Sequence, residues 1–307
     1  MDSSRIRVGV LGSGNIGIDL CERLLDDPEF EVVCLVGRRP DSPGLERFRG
    51  RIPIVLSGGI EELLPIASRV EGVFDATSAF DHERHWRSLS RLGVWMVDLT
   101  PSRVGVPMVP ALIGRVPSME ISQHAGAANY SMVTCGGQSS APLLAAIVES
   151  AQGIREVEVS SSIAALSAGP ATRRNVDEYI ESTEELLRRI SGCQSVKAIL
   201  VLNPSQPPVM MRTTVTVEAD HIDINGVVTA CAAMVAAVQA SAPGYSVAVA
   251  PHESSTGRVV ITAKVTGAGY YLPEYAGNLD IINAAAIETA RQHARATRRL
   301  GAGIFDG

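Results

Sequence analysis

The chain lacks a membrane-length apolar run, a paired-cysteine framework and a basic face, and each absence removes a class of function. No segment reaches the roughly 20 uninterrupted apolar residues of a transmembrane helix. The longest candidate, residues 226–240, is alanine-rich and broken by Thr229 and Gln239, so it reads as a packed helix. The apolar stretch after Arg5 and Arg7 carries glycines and no small-residue cleavage pattern, which argues against a signal peptide and for the cytoplasm. Five cysteines, Cys21, Cys34, Cys135, Cys193 and Cys231, are odd in number and scattered, without a Cys-x-x-Cys pair or a Cys/His ligand spacing. Neither disulfides nor a bound metal is expected. The net charge of −6 is spread along the chain, and basic residues come as isolated pairs such as Arg173-Arg174 and Arg188-Arg189. The densest group, Arg291, Arg295, Arg298 and Arg299, has helical spacing and reads as a solvated face. No basic patch argues for nucleic acid, and there is no internal repeat or flexible linker.

What is present begins with Val8-Gly9-Val10-Leu11-Gly12-Ser13-Gly14-Asn15-Ile16-Gly17. An apolar run from Ile6 stops at glycines spaced G-x-G-x-x-G. An amphipathic segment over 18–25 follows, and the apolar run Phe30–Val36 completes a strand–turn–helix–strand unit. In that setting Gly12 permits the turn, Gly14 leaves bare backbone for a pyrophosphate, and Gly17 lets helix and strand pack closely. The helix N-terminus then presents unpaired N–H groups to the phosphates. The pattern predicts dinucleotide binding.

The 307 residues, 46% of them hydrophobic, suffice for two domains. Residues 1–134 alternate short apolar strands (Ile54–Leu56, Gly72–Asp75, 94–98) with helices (61–68, 82–92), which predicts an α/β, Rossmann-type, doubly wound parallel sheet. Ligands in such sheets lie at the carboxyl ends of strands, so Thr77 and Ser78 after one strand and Asp98-Leu99-Thr100-Pro101 after the next should border the cofactor. From 135 to 279 the texture changes. Helices at 141–151, 176–190 and 226–240 accompany strands at 156–163, 198–202, 212–217, 245–250 and 259–265. The alternating strands predict an α+β substrate and dimerisation domain with one solvated sheet face. A last helix, 280–296 within the 280–307 tail, is expected to pack back on the first domain.

Met132-Val133-Thr134-Cys135-Gly136-Gly137-Gln138 places a thiol just before the helix expected at 141, with Pro142 in its first turn. A cysteine near a helix N-terminus should have its thiolate stabilised and its pKa lowered. The glycine N–H groups could line an oxyanion pocket. Cys21, Cys34 and Cys231 fall inside regular elements and read as inert buried thiols. A nucleophilic cysteine beside a nicotinamide has a clear chemistry. The thiolate adds to an aldehyde, the thiohemiacetal passes a hydride to the nicotinamide, and a thioester remains for a second thiol such as coenzyme A.

With these features the chain resembles the acylating, coenzyme-A-dependent acetaldehyde dehydrogenases. The matching strings include Phe74-Asp75-Ala76-Thr77-Ser78-Ala79, Thr134-Cys135-Gly136-Gly137-Gln138, Ser167-Ala168-Gly169-Pro170, Leu202-Asn203-Pro204 and Tyr275-Ala276-Gly277-Asn278-Leu279-Asp280-Ile281. The resemblance implies that Cys135 carries the acyl thioester. It places the dinucleotide, NAD or NADP, against Gly12, Ser13, Gly14, Asn15, Ile16, Thr77, Ser78, Ser167, Ala168, Gly169, Pro170 and Asn278. It also implies a homo- or hetero-oligomer and a 4-hydroxy-2-oxoacid aldolase as partner. Two other readings stand beside it: a Rossmann oxidoreductase without covalent catalysis, and a non-catalytic aldolase-binding homologue.

The departures from that pattern are specific. Met211-Arg212-Thr213-Thr214 has Thr213 where the family has a carboxylate, and threonine cannot act as a base at neutral pH. His82 and His124 are the nearest candidates in sequence to replace it. Leu166 and Ala171 stand where the family has lysine and glycine. After the second strand comes Gly37-Arg38-Arg39-Pro40, without an acidic residue for the ribose 2′-hydroxyl. Arg38 and Arg39 suit a 2′-phosphate, so NADPH is expected to serve at least as well as NADH. Tyr270, Tyr271 and Tyr275 could border a substrate channel or simply pack.

Overall fold

The computed structural model describes residues 5–122, 126–254 and 257–303, with side chains to 298. His124 lies outside the described residues. The first half runs β1 (Ile6–Leu11), α1 (Asn15–Asp26), β2 (Phe30–Val36), α2 (Pro43–Glu46), β3 (Ile54–Leu56), α3 (Ile60–Leu63), β4 (Gly72–Asp75), α4 (Ala79–Ser90), β5 (Trp95–Asp98), β6 (Val106–Pro107) and β7 (Asn129–Ser131). These seven strands form one parallel sheet in the order β3-β2-β1-β4-β5-β7-β6. β4 and β5 are buried at every position and β1 and β2 at all but one, as strands covered on both faces must be. The order reverses between β1 and β4, and the crevice beyond their carboxyl ends is where such sheets bind ligands.

The second half runs α5 (Cys135–Val148), β8 (Ala151–Ala164), α6 (Pro170–Arg174), α7 (Val176–Ser191), β9 (Val196–Asn203), β10 (Met211–Ile222), α8 (Ile224–Gln239), β11 (Tyr245–Glu253), β12 (Arg258–Val265) and α9 (Gly277–Gly303). The five strands make a mixed sheet ordered β11-β12-β10-β8-β9, antiparallel except where β8 meets β9. Along β8 and β10 buried positions alternate with half-buried or exposed ones, so one face carries core residues such as Val157, Val159, Val215 and Val217.

α5 is buried on all sides from Cys135 to Ile147, the mark of a helix enclosed by packed elements. It begins six residues before the expected start at 141, so Pro142 lies inside the helix and not in its first turn. The cause is local. Thr134 caps the helix by accepting a hydrogen bond from the Gly137 N–H at 2.8 Å, and both glycines are helical because neighbours crowd them. A β-carbon on Gly136 would lie 2.1 Å from the Tyr179 hydroxyl, and one on Gly137 3.1 Å from Leu186.

α9 lies along α1. Arg23 of α1 binds both Asp19 and Asp280, and Asn283 donates to Asp19 at 2.8 Å. Of the arginines expected to form a solvated face, Arg291, Arg295 and Arg298 are engaged, and the Arg299 side chain lies outside the described residues. Arg291 bridges Asp27, Glu29 and Glu288, Arg295 reaches Glu29, and Arg298 reaches Glu71. Acidic residues at the α1–β2 turn supply the partners, a tertiary match that helical spacing alone does not reveal. Among the described residues no helix is long and apolar enough to cross a membrane.

Candidate active site

The glycine turn is built as its spacing requires. Gly12 has φ +117°, and a β-carbon there would lie 2.5 Å from the Ala76 carbonyl oxygen. A β-carbon on Gly17 would strike the Gly12 carbonyl oxygen at 2.0 Å, whereas Gly14 faces open space. The turn opens into a cleft of about 1170 Å³ lined by Gly12, Ser13, Gly14, Arg38, Arg39, Thr77, Pro170 and Ala171 among others. Arg84, His85 and Arg174 also line it, three residues that the local sequence does not flag.

Ala76, Thr77 and Ala171 also line a second cleft of about 620 Å³, which therefore continues the first. Its walls include Ile16 and Asn278 on one side and Val133, Thr134, Cys135 and Tyr179 on the other. The Asn278 Oδ1 atom is buried without a hydrogen-bond partner. Asn15 starts α1, with its amide nitrogen 3.5 Å from where a β-carbon on Gly169 would lie, so the glycine turn and the 165–173 loop meet. Arg173 holds that loop by donating to the Ala165 and Ala168 carbonyls. Ser78 and Ser167 are committed elsewhere. Ser78 caps α4 through Asp81, and Ser167 turns inward to the Ala164 carbonyl.

Cys135 is the first residue of α5, at the end of a tight corner. Val133 holds φ 60°, a conformation that costs a β-branched residue roughly 1–3 kcal/mol. The corner turns the chain from β7 into α5 and points Cys135 into the cleft. The expected acidic thiol is not what the structure holds. Cys135 is 8% exposed, and burial pushes its pKa up to about 11 against the pull of Tyr179 and the Gly136 and Cys135 N–H groups. The Gly137 N–H is consumed by the Thr134 cap, which removes one donor from the expected oxyanion pocket. Cys21 and Cys34 are buried thiols whose pKa burial also raises, and so is Cys231.

His82 does not replace the family carboxylate. It is fully buried, bonds Asp75 at 2.9 Å and Asn129 at 3.0 Å, lies 3.5 Å from Asp98, and lines neither cleft. Burial favours its neutral form, but Asp98 and Asp75 outweigh that and raise its pKa. Burial would also raise Asp75, yet His82 and His85 hold it well below the carboxylate range. Asp98 is pushed up to about 6 by burial. The cluster lies beneath the cleft and organises it. Asp75 binds the Thr77 N–H and hydroxyl, and Asp98 binds the Thr100 N–H. Tyr270 and Tyr271 stack under Arg23 and Arg47; with Tyr275 they line neither of these two clefts, and Tyr270 lines a separate one beside Arg23 and Arg291.

A parallel sheet with a glycine turn at its switch point, joined to a second mixed-sheet domain, is the architecture of Rossmann-type oxidoreductases. Residues 135–273 match the family model for the prokaryotic acetaldehyde dehydrogenase dimerisation domain. Acetaldehyde dehydrogenases from Pectobacterium atrosepticum and Spirochaeta aurantia are each 43% identical to the chain. The first alignment covers 93% of this chain and 94% of the relative, the second 95% of each. One from Geobacillus stearothermophilus is 39% identical over 95% of this chain and 97% of its own. The chain belongs to the acetaldehyde dehydrogenase family, oxidoreductases that act on aldehydes with a nicotinamide cofactor.

Proposed function

We propose that this protein is a coenzyme-A-acylating aldehyde dehydrogenase. It interconverts a short aldehyde, coenzyme A and NAD(P)+ with acyl-CoA and NAD(P)H through a thioester on Cys135. One observation carries the reading: Cys135 shares a cleft with Ile16, Thr77 and Asn278, residues of the dinucleotide-binding surface. The cleft fits such a cofactor. Open backbone at Gly14 leaves room for a pyrophosphate, and the orphaned Asn278 Oδ1 is an acceptor for a carboxamide N–H. When bound, the nicotinamide supplies the hydride acceptor or donor.

The protein's own part is covalent. The Cys135 sulfur adds to the aldehyde carbonyl carbon to give a thiohemiacetal, which becomes a thioester once its hydride has left to the oxidised cofactor and its hydroxyl proton to solvent. The coenzyme A thiol then takes the acyl group and Cys135 recovers its proton. Water is kept from the thioester by Leu99, Pro101, Val133 and Ile282 around it. Arg38 and Arg39, joined by Arg84 and Arg174, favour NADPH, because guanidinium groups bind a ribose 2′-phosphate. A reductive role belongs to the reading on the strength of the NADP-type arginines. In this reading the domains divide at 134/135, with the helix that begins near 280 assigned to the nucleotide-binding half. A 4-hydroxy-2-oxoacid aldolase partner and a cytoplasmic site of action complete the reading.

A second reading, a dinucleotide-binding homologue without turnover, draws on one observation. Among the described residues no carboxylate or imidazole lines the cleft around Cys135. Nicotinamide absorbance followed with short aldehydes plus coenzyme A, and with acyl-CoAs in reverse, separates the two. Coenzyme-A-dependent turnover supports the first. Cofactor binding with no turnover across the aldehyde panel supports the second.

A further inference from the structure

The Cys135 sulfur has a hydroxyl neighbour in space that lies 44 positions away in sequence. The Tyr179 oxygen is 3.8 Å from Sγ, within reach of a sulfur-accepted hydrogen bond. Tyr179 projects from α7 into the same cleft and is 6% exposed. Ser161 Oγ on β8 lies beside it, since a β-carbon on Gly136 would be 2.1 Å from the phenol oxygen and 2.7 Å from Ser161 Oγ. Ser161 Oγ lies 3.3 Å from Thr213 Oγ1, and the two residues face one another in the β8–β10 ladder. Ser161 is 1% and Thr213 0% exposed. Three buried hydroxyls thus cluster between the sulfur and the second sheet.

We infer that Tyr179 is a catalytic hydrogen-bond donor to the Cys135 sulfur, and that Ser161 and Thr213 are positioning residues that aim it. The inference rests on the covalent reading of Cys135. Each hydroxyl has one proton and two lone pairs. When Thr213 donates to Ser161 and Ser161 to Tyr179, the tyrosine proton is left to point at the sulfur. The proton stays on Tyr179 throughout, since burial and the neighbouring thiol hold the phenol in its protonated form. The need for the donor is set by the surroundings. A thiolate enclosed as Cys135 is must recover its lost hydration from fixed donors, and one of the helix N–H groups, that of Gly137, is already taken by Thr134. Gly136 fits the same account, because the absence of a side chain there is what lets the phenol reach the sulfur.

The test is the pH dependence of iodoacetamide alkylation at Cys135, followed by mass of the peptide that carries it, in the wild-type protein and in Tyr179→Phe, Ser161→Ala and Thr213→Val, each checked for a native melting transition. A hydrogen bond to a charged group is worth about one power of ten in an equilibrium constant. Tyr179→Phe should therefore slow alkylation at neutral pH about tenfold and move the profile about one pH unit higher. Thr213→Val and Ser161→Ala should shift it in the same direction by less. Should Tyr179→Phe fail to fold, the two smaller variants carry the test. Profiles that superimpose on wild type overturn the inference. Alkylation requires no coenzyme A, so a protein that never accepts an acyl group would defeat the proposed function while leaving this readout to be judged alone.

Discussion

The α-carbon of Gly136 faces the Tyr179 hydroxyl so closely that a β-carbon would lie 2.1 Å from the oxygen and 2.7 Å from Ser161 Oγ. Alanine is the better helix former, and in an open helix the exchange would stabilise. Here both contacts belong to buried side chains that cannot withdraw without losing their own partners, Cys135 for Tyr179 and Thr213 for Ser161. Gly136→Ala should destabilise the protein by about 1–3 kcal/mol, the usual result of overpacking. Thermal unfolding would show it, and an unchanged or higher transition would contradict the packing.

Arg38 and Arg39 stand at the mouth of the nucleotide cleft, both exposed, Arg38 paired with Asp81 at 3.1 Å and Arg39 with Asp41 at 3.3 Å. Replacing both with alanine should raise the KM for NADPH about tenfold or more, since charge-assisted contacts to a phosphate are lost. The KM for NADH should move little. Steady-state comparison of the two cofactors checks this, and equal effects on both would remove the 2′-phosphate assignment.

Stability should respond to pH through the buried cluster. His82 is raised above its ordinary value of 6.5, so its stabilisation is complete below that pH and is lost as pH rises through the folded value. Asp75 is lowered from 3.8, so its contribution is present above about pH 4 and is lost in acid. Asp98, raised to about 6, favours the fold when protonated and loses that contribution as pH climbs from about 4 to 6. Denaturant midpoints should decline between pH 6.5 and 9 in the wild type and stay flatter in His82→Gln. A decline of equal size in both would show that the histidine is not responsible.

Asp280 is 2% exposed and accepts from Arg23 and from the Ala268 N–H. Removing one member of a buried ion pair leaves the other charge uncompensated, at a cost of about 3 kcal/mol or more. Asp19 still holds Arg23, so Asp280→Ala should fall near the low end of that range. Urea unfolding measures it. A change below 1 kcal/mol would mean that the Arg23–Asp280 pair contributes little to holding α9.

Much of this was legible where the determining contacts are local. The glycine turn could be read because Gly12, Gly14 and Gly17 lie within six residues and Gly17 packs on the Gly12 carbonyl, whereas the close approach of Gly12 to Ala76 is a tertiary contact. The parallel sheet followed from continuous burial in β1, β2, β4 and β5. β6, at one edge of the sheet, and β7 beside it escaped notice; they have two and three residues. The start of α5 was displaced because Gly136 and Gly137 resemble a loop until Tyr179 and Leu186 are seen against them. Cys135 could be singled out from its flanks, but its burial and its raised pKa depend on α7 and on the second sheet. Tyr179 carries no local signal at all. Arg84 and His85 enter the nucleotide cleft only because α4 follows β4 directly, which brings one of its turns beside the glycine loop.

The central claim is that Cys135 holds an acyl group, and direct detection of that adduct tests it. The protein would be mixed with an acyl-CoA in the absence of nicotinamide, quenched in acid and analysed as peptides by mass. The account predicts one acyl increment on the peptide containing Cys135, no increment in Cys135→Ala, and discharge of the adduct when coenzyme A is added before the quench. An acyl-CoA-dependent turnover that survives in Cys135→Ala would contradict it.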